Sequence, residues 1–221
     1  MANTRPPASP PARLALEDGT VFFGTAFGDI TPKTVTGEAC FNTSLSGYQE
    51  ILTDPSYCGQ IVAMTCPLIG NYGVNPDDLE SDKVQCSGFV IRELAHRASN
   101  YRSNQPLEQW LATQGILGLA GIDTRALTRR LRSVGAMQSA LSSDPQISDD
   151  ALIHAARTAE PLTGRNLAAE VSRTAPLAWN EDLGDWAPLQ GVVPAGPRRR
   201  VVALDCGAKL NIFRNLVDAG C

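Results

Sequence analysis

The chain has 221 residues, of which 43% are hydrophobic, 6% aromatic and 19% charged, and its formal net charge is −4. This length suits one sizeable domain, or one domain and part of a second. The acidic balance argues against binding to nucleic acid by bulk electrostatics. No apolar stretch approaches the roughly 20 residues of a membrane-spanning helix, so neither nucleic acid nor a membrane is expected as a partner.

The six cysteines, at positions 40, 58, 66, 86, 206 and 221, include no CxxC pair. No histidine completes a zinc-type spacing with them, so no metal site is predicted. An even number of cysteines would permit a disulfide framework. However, a chain of this size does not need one, and no secretory segment precedes the cysteines. We therefore expect reduced thiols in a cytoplasmic protein.

The first elements are read from turn signals. Residues 1–12 hold four prolines and no apolar run, which predicts a disordered tail. Asp18-Gly19 lies between two short apolar runs, Leu14–Leu16 and Val21–Phe23, and predicts a β-hairpin.

The next segments alternate between strand and helix patterns. Ser46 and Gln49 have the spacing of a capping box and predict a short helix that ends at Asp54-Pro55. Further strands are predicted over residues 37–42, 60–65 and 88–91, and a helix over 106–113.

The strongest helix signal begins at Asp123 or Thr124 and stops at Gly135. Its expected buried stripe consists of Leu127, Leu131 and Val134. The other faces are arginine-rich, with Arg125, Arg129, Arg130 and Arg132. These arginines fit either a solvated basic face or a docking surface for an acidic partner, and the sequence does not separate the two.

After this helix come a strand at 137–141, a helix from Ser148 to about Thr158 and a short helix at 165–171. Strands interleaved with helices give an α/β class, and the hairpin-like clustering of the strands predicts a mixed sheet.

The amino-acid composition changes over about the last 50 residues. Residues 173–199 are rich in proline and glycine and are predicted to form a linker that packs Trp179 and Trp186 against a neighbour. Val201–Leu204 is typical of a strand buried on both faces. The helix expected at 210–217 places Ile212 or Phe213, Leu216 and Val217 on one face. Together these two elements predict the first βα unit of a doubly wound domain that is cut off before its second strand.

Few residues suggest chemistry on their own. Cys206 lies at a predicted strand-to-helix turn, but no histidine is close in sequence and a Gly-x-Cys-x-Gly elbow is lacking. A small apolar filler is therefore the simpler interpretation, with a small thiol hydrolase as the alternative. Ser56 follows Asp54-Pro55, where serine usually satisfies the local backbone. His96 and His154 have no partner at motif spacing, and no phosphate-binding, dinucleotide or metal motif appears.

Four segments together carry a resemblance: Leu16–Thr20, the seventeen residues Phe41–Tyr57, Gly121–Arg129 and Asp205–Lys209. From about residue 13 to the end the chain resembles the small, glutamine-hydrolysing subunit of carbamoyl phosphate synthetase. The resemblance implies an N-terminal domain of β/β/α layers over residues 13–172. It also implies the start of a class I glutamine amidotransferase domain at 200–221.

In that family a cysteine, a histidine and a glutamate release ammonia from glutamine. A large partner subunit combines the ammonia with bicarbonate, using ATP and Mg²⁺, for arginine and pyrimidine synthesis. The family's catalytic residues would lie beyond residue 221, so no catalytic residue is assigned, no cofactor is expected in this chain, and the chain alone should be inactive. The resemblance makes Ser56 the one glutamine-binding residue of this chain. The other class of function that the sequence allows is a non-catalytic docking module for a synthetase subunit.

Overall fold

The structure is a computed structural model that describes residues 9–184 and 196–221. The strands are β1 (Pro11–Leu16), β2 (Val21–Gly28), β3 (Thr34–Asn42), β4 (Gln60–Met64), β5 (Leu68–Ile69), β6 (Gly88–Val90), β7 (Glu93–Leu94), β8 (Leu117–Ala120) and β9 (Met137–Ser142). The helices are α1 (Tyr48–Thr53), α2 (Leu107–Thr113), α3 (Thr124–Val134), α4 (Asp149–Arg157), α5 (Leu167–Val171) and α6 (Leu210–Asp218).

Seven strands form a closed barrel in the order β1-β2-β8-β6-β4-β3-β9. The pairs β3/β4, β4/β6 and β6/β8 are parallel, whereas β1/β2, β1/β9, β2/β8 and β3/β9 are antiparallel. The α/β class and the mixed sheet are therefore confirmed. Closure of the sheet was not predicted, and the finer β/β/α layering stays a prediction.

The barrel is filled by aliphatic side chains from alternate strand positions, which point to the same face of a strand. Leu14, Leu119 and Leu141 belong to one buried cluster, to which α3 adds Leu127 and Leu131. A second cluster packs α1 and α2 against the outer face of the strands. In the described residues, no helix is long and apolar enough to cross a bilayer.

The start of β1 corrects the predicted tail. Pro11 and Ala12 already pair with Thr25 and Gly24 of β2, so strand β1 includes the last two residues of the predicted tail. The predicted hairpin is confirmed, and residues 1–8 lie outside the described part of the chain.

The capping box at Ser46 is wrong. Helix α1 has Gly47 at its N-cap in the left-handed conformation (φ 83°), with no side-chain cap. The Tyr72 hydroxyl accepts the N–H groups of Gly47 (2.6 Å) and Tyr48 (2.9 Å). A tyrosine that is distant in sequence therefore satisfies the helix start, and this leaves Ser46 exposed.

The prediction for α3 holds except for one residue. Asp123 Oδ1 accepts the Ala126 N–H at 2.9 Å, and Leu127 and Leu131 are buried. Val134, by contrast, is 66% exposed. Gly135 and Ala136 beside it are also exposed, so the last turn of the helix extends beyond the core.

The C-terminal segment (residues 196–221) departs most from expectation. Val201–Leu204 forms no strand, and Val202 and Leu204 are 99% and 91% exposed, because no described strand lies beside them to accept their backbone and side chains. Helix α6 is confirmed, but its buried face is Leu210, Arg214 and Val217, whereas Ile212 is exposed. The docked face of the helix is therefore partly polar.

The predicted packing of the linker tryptophans is confirmed at Trp179. The Trp179 ring packs on Phe213 of α6, with 5.7 Å between the ring centroids. Trp186 lies outside the described residues, and the domain limits 13–172, 173–199 and 200–221 stay predictions.

Candidate functional site

The candidate site is the turn that carries Ser56. Helix α1 ends at Thr53, and Pro55–Tyr57 then forms one turn of 3₁₀-helix with Asp54 as its N-cap. Asp54 Oδ1 accepts the Ser56 N–H at 2.9 Å. Proline and aspartate are the residues that favour such a turn, since proline fixes φ and aspartate accepts a nearby N–H group.

The Ser56 side chain is exposed. Asp54 satisfies the local backbone, and the Ser56 hydroxyl has no hydrogen-bond partner among residues 9–184 and 196–221. The role in local backbone satisfaction that the sequence suggested for Ser56 therefore belongs to Asp54. The hydroxyl is available to a ligand.

The second oxygen of Asp54 binds the C-terminal segment. Lys209 Nζ lies 2.8 Å from Asp54 Oδ2, and the Asp54 side chain is only 8% exposed. This hydrogen bond to a carboxylate raises the pKa of Lys209, so the ammonium stays charged at neutral pH. Because the folded-state pKa is raised, the stabilisation is present below the usual lysine range and is lost as the pH rises through the folded-state pKa.

The turn after the predicted strand packs directly beside Pro55. Asp205 Oδ1 accepts the N–H groups of Gly207 (2.9 Å) and Ala208 (2.8 Å). At Gly207 (φ 92°) an added Cβ would lie 2.4 Å from Val171 Cγ2 and 3.4 Å from Pro55 Cβ. Only glycine fits such an approach, which brings the Asp205–Ala208 turn next to the Ser56 turn.

Pro55 of the first turn and Asp205 and Ala208 of the second line a cleft of about 380 Å³. Its wall also includes Lys83 and Arg173, and Arg173 Nε lies 3.6 Å from Asp205 Oδ2. The cleft thus lies at the junction between the C-terminal segment and the rest of the chain, and its walls carry charges of both signs.

Cys206 is the exposed member of six free cysteines. Its thiol has no hydrogen-bond partner in the described parts of the chain, and both His96 and His154 are exposed. A nucleophilic cysteine needs a positioned base, and this arrangement supplies none. Burial raises the pKa of the Cys40 and Cys86 thiols to about 12, so these two are protonated at neutral pH. Nowhere in residues 9–184 and 196–221 is a group of three or more His, Cys, Asp or Glu residues placed to hold a metal ion.

The sequence predicts Ser56 as a binding residue but does not indicate the residues that fix its turn. Lys209 enters the prediction only within the Asp205–Lys209 segment, and its partner Asp54 only as a turn residue. Glu80 and Arg214, which hold α6, gave no signal beyond the position of Arg214 between Leu210 and Val217 on one helical face.

Comparison with known proteins identifies the family. Residues 14–141 match the family described as carbamoyl-phosphate synthase small chain, CPSase domain. The chain belongs to this family. The resemblance seen in the sequence is thereby confirmed.

Individual relatives agree with this assignment. The chain is 50% identical over 212 residues to the carbamoyl phosphate synthase small chain of Syntrophotalea carbinolica, covering 95% of this chain and 55% of that protein. It is 47% identical over 216 residues to that of Rhodopirellula baltica, with coverage of 95% and 55%. For Rubrivivax gelatinosus the identity is 47% over 223 residues, with coverage of 97% and 57%. The chain therefore spans about half the length of the curated relatives that it matches.

Proposed function

We propose that this chain acts as part of the small subunit of a glutamine-hydrolysing carbamoyl phosphate synthetase. In that role the small subunit releases ammonia from glutamine in the cytoplasm, and a large subunit uses it with bicarbonate and ATP. ATP and Mg²⁺ belong to the large subunit, and the present chain needs no cofactor. Family membership supports the general role.

Ser56 is the residue of this chain that we propose to bind glutamine. The observation that carries the proposal is its free, exposed hydroxyl on a turn that Asp54 fixes from both sides. One carboxylate oxygen accepts the Ser56 N–H, and the other pairs with Lys209 in the C-terminal segment. A small hydroxyl at this place can donate one hydrogen bond to a substrate bound at the junction.

The test uses a joined protein, in which residues 1–221 are followed by the remaining part of the Rubrivivax gelatinosus small chain, together with a large subunit. Ser56→Ala should raise the KM for glutamine about threefold to tenfold, because a neutral hydrogen bond contributes roughly 0.5–1.5 kcal/mol. Synthesis from free ammonia should be unchanged. Ser99→Ala, at an exposed serine of a loop far from Ser56 in sequence, is the matched control.

Two outcomes would contradict the assignment of Ser56. Unchanged glutamine kinetics would return Ser56 to a plain turn residue, and equal loss of both activities would indicate a folding or docking role. The 221-residue chain alone should release no ammonia from glutamine. Release that disappears with Cys206→Ala would instead support the thiol hydrolase.

A non-catalytic docking module is the second candidate, and the arginine face of α3 favours it. Arg125, Arg129 and Arg132 are exposed along one stripe of α3 and form no ion pair within the described residues, whereas Arg130 pairs with Asp18. A basic face without internal ion pairs is what a docking module needs to bind an acidic surface of a large subunit. A stop codon after Cys221 would favour the module, and an open frame that continues into a Gly-x-Cys-x-Gly elbow would favour the subunit.

A further inference from the structure

Helix α6 is capped by a residue from the barrel domain. Its own N-cap residue, Lys209, makes no side-chain cap. The Glu80 carbonyl accepts the Leu210 N–H at 3.0 Å, and the Glu80 carboxylate accepts the Asn211 N–H at 3.0 Å and its side-chain amide at 2.8 Å. The first two free N–H groups of the helix are thus satisfied from a loop far away in sequence.

The position of Glu80 explains why a charge is tolerated there. Glu80 is only 6% exposed, and a buried carboxylate is costly unless donors surround it. The start of α6 provides N–H donors and the positive end of the helix dipole. Removing either partner would therefore leave buried polar groups unsatisfied.

Arg214 holds the same loop one helical turn later. Its side chain is 8% exposed, and its Nη1 atom donates to the carbonyls of Asp77 (3.1 Å) and Leu79 (3.0 Å). The loop that ends at Glu80 is therefore bound by α6 at two points.

The other side of this loop is bonded to α1. The Glu80 N–H donates to Thr53 Oγ1 at 2.9 Å, and the Ser81 hydroxyl donates to the Thr53 carbonyl at 2.5 Å. Thr53 directly precedes Asp54, the residue that fixes Ser56. Hydrogen bonds through Glu80 thus join the start of α6 to Thr53, which the backbone connects directly to the turn that carries Ser56.

We propose that Glu80 is a positioning residue that fixes helix α6 against α1 and thereby sets where Ser56 stands relative to α6. The effect of Glu80 on glutamine binding rests on the proposed function. The capping of α6 by Glu80 is independent of that function, and it can be measured in the 221-residue chain alone.

The first experiment measures amide hydrogen exchange in the 221-residue chain. Glu80→Ala should speed exchange in α6 about tenfold, the effect of losing a helix cap, while β4 and β6 keep their protection. The matched control is Asp82→Ala, because Asp82 is 80% exposed and its contact with Arg173 is a long 3.8 Å. Unchanged exchange in α6, or equal acceleration in every strand and helix, would overturn the capping role.

The second experiment uses the joined protein with a large subunit. Glu80→Ala should raise the KM for glutamine about threefold to tenfold, with ammonia-driven turnover intact, and Glu80→Gln, which keeps an acceptor for the Asn211 N–H but loses the one for its side-chain amide, should restore part of the affinity. If α6 loosens in Glu80→Ala but glutamine kinetics do not change, the positioning inference is wrong and the proposed function stands. If the wild-type joined protein uses ammonia but not glutamine, the proposed function fails, and the exchange experiment alone decides whether Glu80 positions α6.

Discussion

The barrel and the C-terminal segment are held in place by different interactions. In the barrel, fully buried side chains such as Leu14, Leu119 and Leu141 come together from separate strands. In the C-terminal segment, the contacts with the rest of the chain include the Lys209–Asp54 ion pair and the polar bonds of Glu80 and Arg214. Apolar burial tolerates small shifts, whereas these bonds specify a single geometry. The difference suits a stable scaffold joined to a segment whose placement matters.

The largest expected effect is on the free energy of unfolding, when a buried side chain of the barrel and an exposed one of the C-terminal segment are each truncated to alanine. Phe89 is fully buried, whereas Leu204 is 91% exposed. Phe89→Ala should lower the free energy of unfolding by about 3–5 kcal/mol, and Leu204→Ala should change it by less than about 0.5 kcal/mol. Urea unfolding of both variants measures this contrast. A similar loss in Leu204→Ala would mean that the exposed segment is part of the core.

Helix caps offer a second contrast. Helix α3 is capped locally by Asp123, and α6 remotely by Glu80. Asp123→Ala should lower the free energy of unfolding by about 1 kcal/mol, and Asp123→Asn, which keeps a capping oxygen, should restore most of it. Both are read from urea midpoints. No recovery in Asp123→Asn would show that charge, and not the cap, is what matters.

A smaller effect is expected in the pH dependence of stability, because each region has an ion pair that titrates at a different end of the pH range. The barrel-side pair Asp29–Lys33 lowers the pKa of Asp29 to about 2, through the Lys33 hydrogen bond and bonds from Thr31. A lowered carboxyl pKa gives stability that is present above the unfolded value near 4 and lost as the pH falls through about 2. The pair is partly exposed, so its worth is at most about 1 kcal/mol. The junction pair Asp54–Lys209 weakens at the opposite, alkaline end.

Unfolding of Asp29→Asn measured from pH 6 to pH 2 tests this assignment. The gap in stability to the wild type should be full at pH 6 and close towards pH 2. A gap that does not change with pH would show that Asp29 contributes through shape and not through its charge.

The sequence predicted what is determined locally. Asp18-Gly19 forms its hairpin and Asp123 caps α3, because each acts on residues within four positions. Barrel closure depends on β1 meeting β9, as where Leu14 pairs with Leu141, and no local pattern encodes that contact. The same holds for Tyr72, which takes the place of Ser46 at the start of α1.

The residues of the candidate site also fall into those that the sequence indicates and those that depend on distant partners. The proposed role of Ser56 is an implication of the family resemblance. The hydrogen bond from its N–H to Asp54 is a local consequence of the turn. Lys209 and Glu80 could not be assigned from spacing, since their partners lie far along the chain. The Val201–Leu204 pattern indicates a buried strand, but a strand needs neighbours, and residues 9–184 and 196–221 supply none.

The Ser56 turn and the start of α6 form one unit, joined through Asp54 and Lys209. A double-mutant cycle with Asp54→Asn, Lys209→Met and the double variant measures it most directly, with α6 amide exchange as the readout. Because Asp54 is buried and Lys209 is half-exposed, we expect a coupling free energy of about 1 kcal/mol. Strictly additive effects of the two substitutions on α6 protection would contradict the account.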